Sequence, residues 1–148
     1  MPKTAERRHL PYSARQMYDL VADVERYPEF LPWAAAARIR SRRACGDHEL
    51  LEADLVISFR LFRERFGSRV RLWPGRLRIE TEYLDGPFRH LHSHWQFADC
   101  PDGGCEVDFA VDFEFRSALL QKVIGAVFNE AMARIVRAFE DRAAQLYG

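Results

Sequence analysis

The sequence predicts an α+β fold in which a curved antiparallel sheet wraps around one long C-terminal helix. Three observations support this prediction. Apolar and polar residues alternate through most of the middle of the chain, turn signals divide that stretch into strands, and residues 117–146 carry an apolar stripe at helical spacing. Because the sheet and the helix each have one apolar face, the two faces are expected to bury each other. The predicted order of elements is β-α-α-β-β-β-β-β-α.

Length and charge set the class of protein. A chain of 148 residues is the length of one domain, so we treat residues 1–148 as a single domain. Lys plus Arg and Asp plus Glu both number 22, and the zero net charge gives no reason to expect DNA as a partner. No apolar run approaches the roughly 20 residues that cross a bilayer, and the N-terminus lacks a secretory segment. We expect a cytoplasmic protein, and the absence of an Arg- and Ser-rich presequence favours a bacterial source.

The first predicted elements are a strand and an amphipathic helix. The strand is predicted around residues 7–12, and Ser13 follows it as a candidate N-cap for the helix. Apolar residues then recur at helical spacing and stop before Pro28, where the helix is predicted to end. These apolar residues are Met17, Leu20, Val21 and Val24.

The segment after this helix is the aromatic corner, which we define as residues 27–33 and which reads Tyr-Pro-Glu-Phe-Leu-Pro-Trp. Its two prolines lack amide donors and push the residues before them towards extended geometry, so the chain must bend here. Phe30, Leu31 and Trp33 give the bend apolar bulk. One interpretation is a corner that plugs the core. The other is an exposed lip that touches a membrane surface, where tryptophan is physically favoured.

Alternation predicts five strands between the corner and the last helix. They cover residues 51–59, 62–72, 77–83, 91–97 and 107–115, and turn signals lie at 45–47, 73–75, 85–87 and 101–104. The apolar side of these strands includes Phe59, Phe66, Val70, Trp95, Phe109 and Phe113. The closing helix, with Ser117 as its predicted N-cap, turns its own apolar stripe towards this side.

Polar residues interrupt the apolar side of these strands. They are Glu64, Ser68, Thr81, Arg89 and Ser93. A buried carboxylate without a partner is costly, so Glu64 is expected to pair with Arg89 or another donor, to border water, or to sit at a bulge that turns it outward. Two interpretations remain open, a partly hydrated ligand pocket and a buried polar pair within an ordinary core.

The opposite side of the predicted sheet is rich in arginine. The arginines on neighbouring strands are Arg63, Arg65, Arg69, Arg71, Arg76 and Arg78. Together they would form a basic stripe able to contact phosphates of ribosomal RNA or of anionic lipid. The alternative is a solvated face on which the acidic residues of the sheet pair with these arginines.

The histidines and cysteines predict no metal site. His90, His92 and His94 alternate along one strand, and the outer two lie about 13 Å apart, too far to share one ion. Pairing with acidic residues of the neighbouring strand explains them more simply. Cys45, Cys100 and Cys105 fit no zinc spacing; a bridge across the turn at 101–104 is conceivable, but reduced thiols are expected in the cytoplasm.

Several segments together resemble the coenzyme-Q-binding START-like family, also called the polyketide cyclase/dehydrase-like group. They are the aromatic corner and residues 64–70, 85–89, 95–97, 113–115 and 139–143. The resemblance covers nearly the whole chain and implies the helix-grip (START/Bet v 1-like) fold. Family members commonly have cysteine after the corner tryptophan, where this chain has Ala34, and a polar residue where it has Gly67.

The resemblance implies that the chain binds a polyprenyl quinone such as ubiquinone between the sheet and the last helix. The protein would be a carrier that supports respiratory electron transport, with the quinone as bound ligand and with no cofactor. The aromatic corner would contact the inner face of the cell membrane transiently. The expected ligand contacts are Phe30, Leu31, Trp33, Phe59, Phe66, Val70, Trp95, Phe109, Phe113, Val127 and Phe128, with Glu64, Ser68, Arg89 and Ser93 as polar groups of the cavity.

The same resemblance implies an alternative, since the family includes a bacterial protein described as a ribosome-association toxin. Such a protein would bind the large ribosomal subunit and block subunit association. A cyclase-type enzyme is the least favoured interpretation. It would require Glu64 or Arg89 as an acid-base or orienting group, and the sequence offers no second placed catalytic residue.

Overall fold

The computed structural model describes residues 3–59 and 62–148 and confirms the predicted fold class. The side chain of Phe59 lies outside what it describes, so the prediction for that residue stays untested. The strands are β1 (Lys3–Leu10), β2 (Ala34–Cys45), β3 (His48–Phe59), β4 (Phe62–Trp73), β5 (Arg78–Asp85), β6 (Phe88–Asp99) and β7 (Cys105–Phe115). The helices are α1 (Ala14–Ala22), a 3-10 helix (Val24–Glu29) and α2 (Ala118–Tyr147).

The strands form one antiparallel seven-stranded sheet in the order β1-β7-β6-β5-β4-β3-β2. This is one strand more than the predicted order contains, and the additional strand is β2. Its residues are mostly alanine and arginine, and most are exposed because the strand lies at the edge of the sheet. An edge strand exposed on both faces lacks the apolar alternation that reveals a strand in sequence.

Both predicted helix caps are confirmed. The Ser13 side chain accepts a hydrogen bond from the backbone N–H of Gln16 at 3.1 Å, and the Gln16 side chain accepts one from the N–H of Ser13 at 3.0 Å. Ser117 accepts from the N–H of Leu120 at 3.1 Å. These bonds satisfy amide groups that the first turn of each helix leaves without partners.

The first helix ends earlier than predicted. Helix α1 stops at Ala22, and the chain tightens into the 3-10 helix that contains Pro28. The Tyr27 hydroxyl donates to the carbonyl of Val21 at 2.5 Å, so a side chain satisfies an acceptor at the helix end. This contact also orients the aromatic corner against the end of α1.

The core consists of two clusters between the sheet and the helices. The α1 core contains Leu10, Ala14, Met17, Tyr18, Leu20, Val21, Leu51, Val70, Leu72, Ile79, Phe97, Cys105, Val107, Phe139 and Ala143. The aromatic core contains Phe66, Phe88, Phe113, Phe115, Leu120 and Phe128. Helix α2 contributes to both, and its residues Phe128 and Phe139 are about three helical turns apart. The interval between the clusters is where the helix and the sheet face each other with the fewest buried side chains.

Candidate functional site

The interior of the fold is incompletely filled along the middle of α2. Among the thirty residues of this helix, all of which the structure describes, the buried ones are Leu120, Phe128, Phe139 and Ala143. Other apolar residues of the stripe are only partly buried: Val123, Ile124, Val127, Ala131 and Ile135. A helix packed tightly on a sheet buries its whole stripe. The middle of α2 therefore presents apolar surface that a ligand is able to cover.

A polar seam crosses the sheet beneath this part of the helix, and we define it as Ser68, Thr81 and Ser93. Ser68 is buried at 6% exposure, whereas Thr81 and Ser93 are partly exposed. Thr81 and Ser93 are directly paired across β5 and β6. In the described part of the chain, the three hydroxyls have no side-chain hydrogen-bond partner. Buried or half-buried polar groups normally have one, so these hydroxyls are available to a ligand or to water.

The position of the seam follows from the strand pattern. Thr81 lies between Ile79 of the α1 core and Tyr83, which packs against the aromatic core. Ser93 lies in the same way between Leu91 and Trp95. Short polar side chains thus replace large apolar ones where the two clusters would otherwise meet.

A small, partly open cavity lies beside the α1 core. It has a volume of about 30 Å³, and its lining includes Trp95, Phe109 and Phe139 together with Arg8 and Glu140. This volume holds about one water molecule. A quinone ring does not fit in it.

The aromatic corner closes one end of this interior. The Phe30 ring lies 5.3 Å from the ring of Phe139, and the guanidinium of Arg142 lies 5.3 Å from the Phe30 ring centroid. Arg142 also forms an ion pair with Glu29 at 2.7 Å. Phe30 and Leu31 are partly buried against the α1 core, so the core-plug interpretation describes their packing. Their contact with a membrane stays a prediction.

Trp33 ends the corner in a left-handed backbone conformation with φ of 66°. L-residues other than Asn and Asp rarely adopt this region, so the turn is strained. The Trp33 carbonyl accepts a hydrogen bond from the N–H of Ser58 at 2.8 Å, which anchors the corner to β3. Its side chain is partly buried.

The structure places the other predicted contacts in different surroundings. Phe66, Phe113 and Phe128 lie in the aromatic core and Val70 in the α1 core. Trp95 and Phe109 line the small cavity. The partly buried Val127 belongs to the accessible stripe of α2.

The prediction that Glu64 and Arg89 lie in the cavity is wrong. Arg89 is exposed and lies 3.5 Å from Glu114, because a register shift between Phe88 and His90 makes it the extra residue of a bulge. Glu64 is exposed as well. Its strand pairs with β5 only from Gly67 onwards, so Glu64 lies on a projecting part of the β3–β4 hairpin and borders water.

The predicted basic stripe on the outer face is largely neutralised by carboxylates. Arg71 contacts Glu82, and the other ion pairs are Arg65–Asp85 at 2.9 Å, Arg69–Glu52 at 3.6 Å, Arg76–Asp47 at 3.3 Å and Arg78–Glu80 at 2.8 Å. The pairs of Arg65, Arg69 and Arg71 join neighbouring strands and hold these arginines along the sheet surface. The solvated, paired face therefore describes these strands better than a free phosphate-binding stripe.

The sequence did not reveal a network of arginines around Asp54 on this face, which we call the Asp54 network. The Asp54 side chain is 10% exposed and accepts hydrogen bonds from Arg38 at 3.2 Å, from Arg40 at 2.9 Å and from Arg65. The hydrogen bonds from Arg40 hold the pKa of the Asp54 carboxyl well below its ordinary value and outweigh the opposing effect of burial. The hydrogen bonds from Arg38 and Arg65 act in the same direction. Asp85 accepts from Arg65 and joins the same group.

Gly67 makes room for this network. A Cβ atom at this position would lie 2.2 Å from Nη2 of Arg40 and 2.8 Å from Oδ1 of Asp85. Glycine therefore stands at Gly67 because the guanidinium crosses directly above the backbone. A lone glycine within a strand was the only sign of this arrangement in the sequence.

The histidines of β6 match the predicted cross-strand pairing in one case. His90 lies 3.1 Å from Asp112 of β7. The rings of His92 and His94 are 6.5 Å apart. Burial, followed by the charges of Arg78 and His92, lowers the pKa of His94.

Comparisons with known proteins agree with the fold. Residues 10–140 match the family model described as polyketide cyclase/dehydrase and lipid transport. The ribosome association toxin RatA of Pseudomonas aeruginosa is 38% identical over 94% of this chain and 93% of that protein. The coenzyme Q-binding protein COQ10 homolog B of Xenopus laevis is 33% identical over 97% of this chain and 59% of that protein.

A solved structure supports the fold over the full length. The solution structure of an 18 kDa protein from Caulobacter crescentus has a TM-score of 0.83 and 34% identity, and the match covers 100% of this chain and 99% of that one. In the described part of the chain, no helix combines the length and the apolar character needed to cross a membrane.

Proposed function

The chain belongs to the polyketide cyclase/dehydrase and lipid transport family, and from this premise we propose that it binds a polyprenyl quinone such as ubiquinone between the sheet and α2. The observation that carries the proposal is the partly buried apolar stripe of α2 above three hydroxyls that have no partner among the described residues. In this arrangement the prenyl tail lies along the stripe. The quinone carbonyls accept hydrogen bonds from the polar seam.

The energetics favour this division of roles. Each 100 Å² of hydrocarbon removed from water contributes about 2.5 kcal/mol, at about 25 cal/mol per Å². A prenyl tail therefore supplies most of the affinity. The seam supplies orientation, because a single hydrogen bond adds only about 1 kcal/mol.

In our proposal α2 separates from the sheet on loading, because the cavity of about 30 Å³ is far smaller than a quinone. The aromatic corner is the natural place for this opening, since Phe30 contacts Phe139 of α2 and Arg142 bridges α2 to Glu29. In our proposal these contacts separate at the inner face of the cell membrane and close again over the ligand. The protein then carries the quinone in the cytoplasm to or from the respiratory chain.

Native purification followed by lipid extraction and mass spectrometry tests the proposal. The protein is produced in a quinone-making host, beside a Ser93→Phe variant that fills the seam. The matched control is His92→Phe, which places the same side chain on the exposed outer side of the same strand. We expect about one quinone per chain in the wild type and the control, and loss of quinone in Ser93→Phe with an unchanged circular dichroism spectrum. Wild-type protein without quinone or any other lipid would refute the proposal.

The name of the Pseudomonas aeruginosa relative favours a second candidate function, association with the ribosome. The paired arginines of the predicted stripe support this less well than Arg43 of β2, which is exposed and forms no ion pair in the described part of the chain. The test adds purified protein to ribosomal subunits and follows their association in sucrose gradients. We expect an Arg43→Glu variant to lose any block of association, and Ser93→Phe to retain it. The opposite pattern would connect the ribosome to the ligand site.

The relatives reported above are named as a toxin and a binding protein and not as enzymes. The absence of catalytic activity in this chain stays a prediction. Incubating the purified protein with a polyketide substrate analogue and finding turnover would overturn it.

A further inference from the structure

A histidine, a cysteine and an aspartate converge where the end of β1 meets the turn between β6 and β7. Nε2 or Nδ1 of His9, Sγ of Cys100 and a carboxylate oxygen of Asp102 all lie within 4.8 Å of one another. Nε2 of His9 is 3.0 Å from Oδ2 of Asp102. Imidazole nitrogen, thiolate sulfur and carboxylate oxygen are the three ligand types that zinc uses in proteins.

The turn that carries Cys100 and Asp102 is held by its own hydrogen bonds. The N–H of Gly103 donates to the carbonyl of Cys100 at 3.1 Å, and the N–H of Cys100 donates to the carbonyl of Gly104 at 2.9 Å. The N–H of Gly104 donates to Oδ1 of Asp102 at 2.9 Å. The second carboxylate oxygen, Oδ2, is thereby directed to His9.

A glycine allows β1 to approach this turn. The pairing of Leu10 with Cys105 brings the end of β1 beside it. A Cβ atom at Gly104 would lie 2.3 Å from the carbonyl oxygen of Leu10 and 3.3 Å from Cε1 of His9. Any other residue at Gly104 would clash with the Leu10 carbonyl and displace the end of β1 that carries His9, so the glycine permits residues far apart in sequence to share a site.

The charges around the thiol favour a cation. The carboxylates of Asp99, Asp102 and Glu106 lie near the Cys100 thiol. Their negative charges attract a divalent cation to this place, and a bound cation stabilises the thiolate that binds it.

We propose that His9, Cys100 and Asp102 form a zinc-binding site, with water as the fourth ligand. Zinc bonds of about 2.0–2.3 Å place tetrahedral ligand atoms roughly 3–4 Å apart, so the three side chains reach bonding distance by small rotations. The ion ties the edge strand β1 to the β6–β7 hairpin. The spacing of the cysteines does not reveal this site, because one ligand comes from the opposite end of the chain.

Cobalt substitution tests the proposal, because a Co²⁺–thiolate bond gives a near-ultraviolet charge-transfer band. Reduced, chelator-treated full-length protein is titrated with Co²⁺ and then with Zn²⁺ against a chromophoric chelator. We expect one ion per chain and a charge-transfer band that Zn²⁺ abolishes. In Cys100→Ser the band should disappear and zinc affinity should fall by more than the about tenfold that loss of an outer-shell partner costs. Cys45→Ser, which removes the partly buried thiol of β2, is the matched control and should behave as wild type.

Thermal unfolding gives a second readout that does not depend on the cobalt spectrum. Zinc should raise the Tm of the wild type and of Cys45→Ser, but not the Tm of Cys100→Ser or of Asp102→Asn. Asp102→Asn keeps the size of the side chain and serves if Cys100→Ser fails to fold. Equal stabilisation of all four proteins, or cobalt binding without a thiolate band, would overturn the proposal.

Discussion

The polar side chains that we compare on the two faces of the sheet differ in whether they have hydrogen-bond partners within the protein. On the outer face, the Asp54 carboxylate is surrounded by Arg38, Arg40 and Arg65, and its hydrogen-bonding capacity is used within the protein. On the inner face, the hydroxyls of the polar seam have no such partners in the described part of the chain. A polar group that is fully paired contributes to the stability of the fold, whereas one that is left unpaired under a loosely packed helix is suited to a ligand.

Removing the centre of the outer network should have the largest effect. Asp54→Ala leaves the guanidinium groups of Arg38, Arg40 and Arg65 without their shared carboxylate. We expect a loss of about 2–3 kcal/mol in the free energy of unfolding, somewhat below the figure for fully buried pairs because the arginines reach water. Urea denaturation measures it. Asp47→Asn, which removes an exposed partner of Arg76, should change stability by less than about 1 kcal/mol. Equal losses of unfolding free energy in Asp54→Ala and Asp47→Asn would contradict the central role of Asp54.

Acid should weaken the outer face selectively. The pKa of Asp54 is lower in the folded than in the unfolded protein, so its stabilising contribution is complete above the ordinary carboxyl pKa near 4 and is lost as the pH falls below it. The wild type should therefore lose more stability between about pH 5 and pH 2 than Asp54→Asn does. The measurement is the urea midpoint of both proteins across that range, and parallel curves would show that Asp54 is not the group responsible.

Filling the space at Gly67 should have an intermediate effect. Gly67→Ala places a Cβ against the Arg40 guanidinium, and because that group is the end of a flexible side chain it shifts at a cost of about 1–2 kcal/mol. Gly125→Ala is the matched control, since nothing lies within 4 Å of a Cβ there. In the interior of α2 that substitution should stabilise the protein by about 0.5–1 kcal/mol. Thermal unfolding of the two variants should shift in opposite directions.

Removing one seam hydroxyl should have the smallest effect on stability. Thr81→Val keeps the shape of the side chain and removes a hydroxyl without a partner, so the free energy of unfolding should change by less than about 0.5 kcal/mol. Quinone affinity, measured by equilibrium binding to a short-chain quinone, should fall several-fold through loss of a hydrogen bond of about 1 kcal/mol. A large loss of stability would show that Thr81 belongs to the core after all.

The features that the sequence predicted correctly are those that follow from the periodicity of apolar residues and from local hydrogen bonding. Alternation revealed five strands and placed Ser68 and Ser93 on the inner side, and the caps at Ser13 and Ser117 followed from local hydrogen-bonding rules. Strand β2 was missed because an edge strand needs no apolar side. Arg89 was misplaced because it is the extra residue of a bulge, which interrupts the alternation of side chains along β6.

Two clusters that join distant segments of the chain could not be predicted from the sequence. The Asp54 network joins four strands, and the cluster of His9, Cys100 and Asp102 joins the first strand to the last hairpin. Neither cluster is recognisable from a regular spacing of its residues in the sequence. Both are created by the register of strand pairing and by the room that Gly67 and Gly104 leave. Such sites become visible only when the sheet is assembled.

The two edges of the sheet carry a further consequence. The outermost strands are β1, in which Glu6 accompanies Arg7 and Arg8, and β2, which has four arginines and no acidic residue. An open sheet edge is a template on which another copy of the chain is able to add its own strand, the first step of ordered aggregation. When two copies meet along β2, positive charge opposes positive charge. The arginines of β2 therefore allow a long strand to remain unpaired at high protein concentration without recruiting its neighbours.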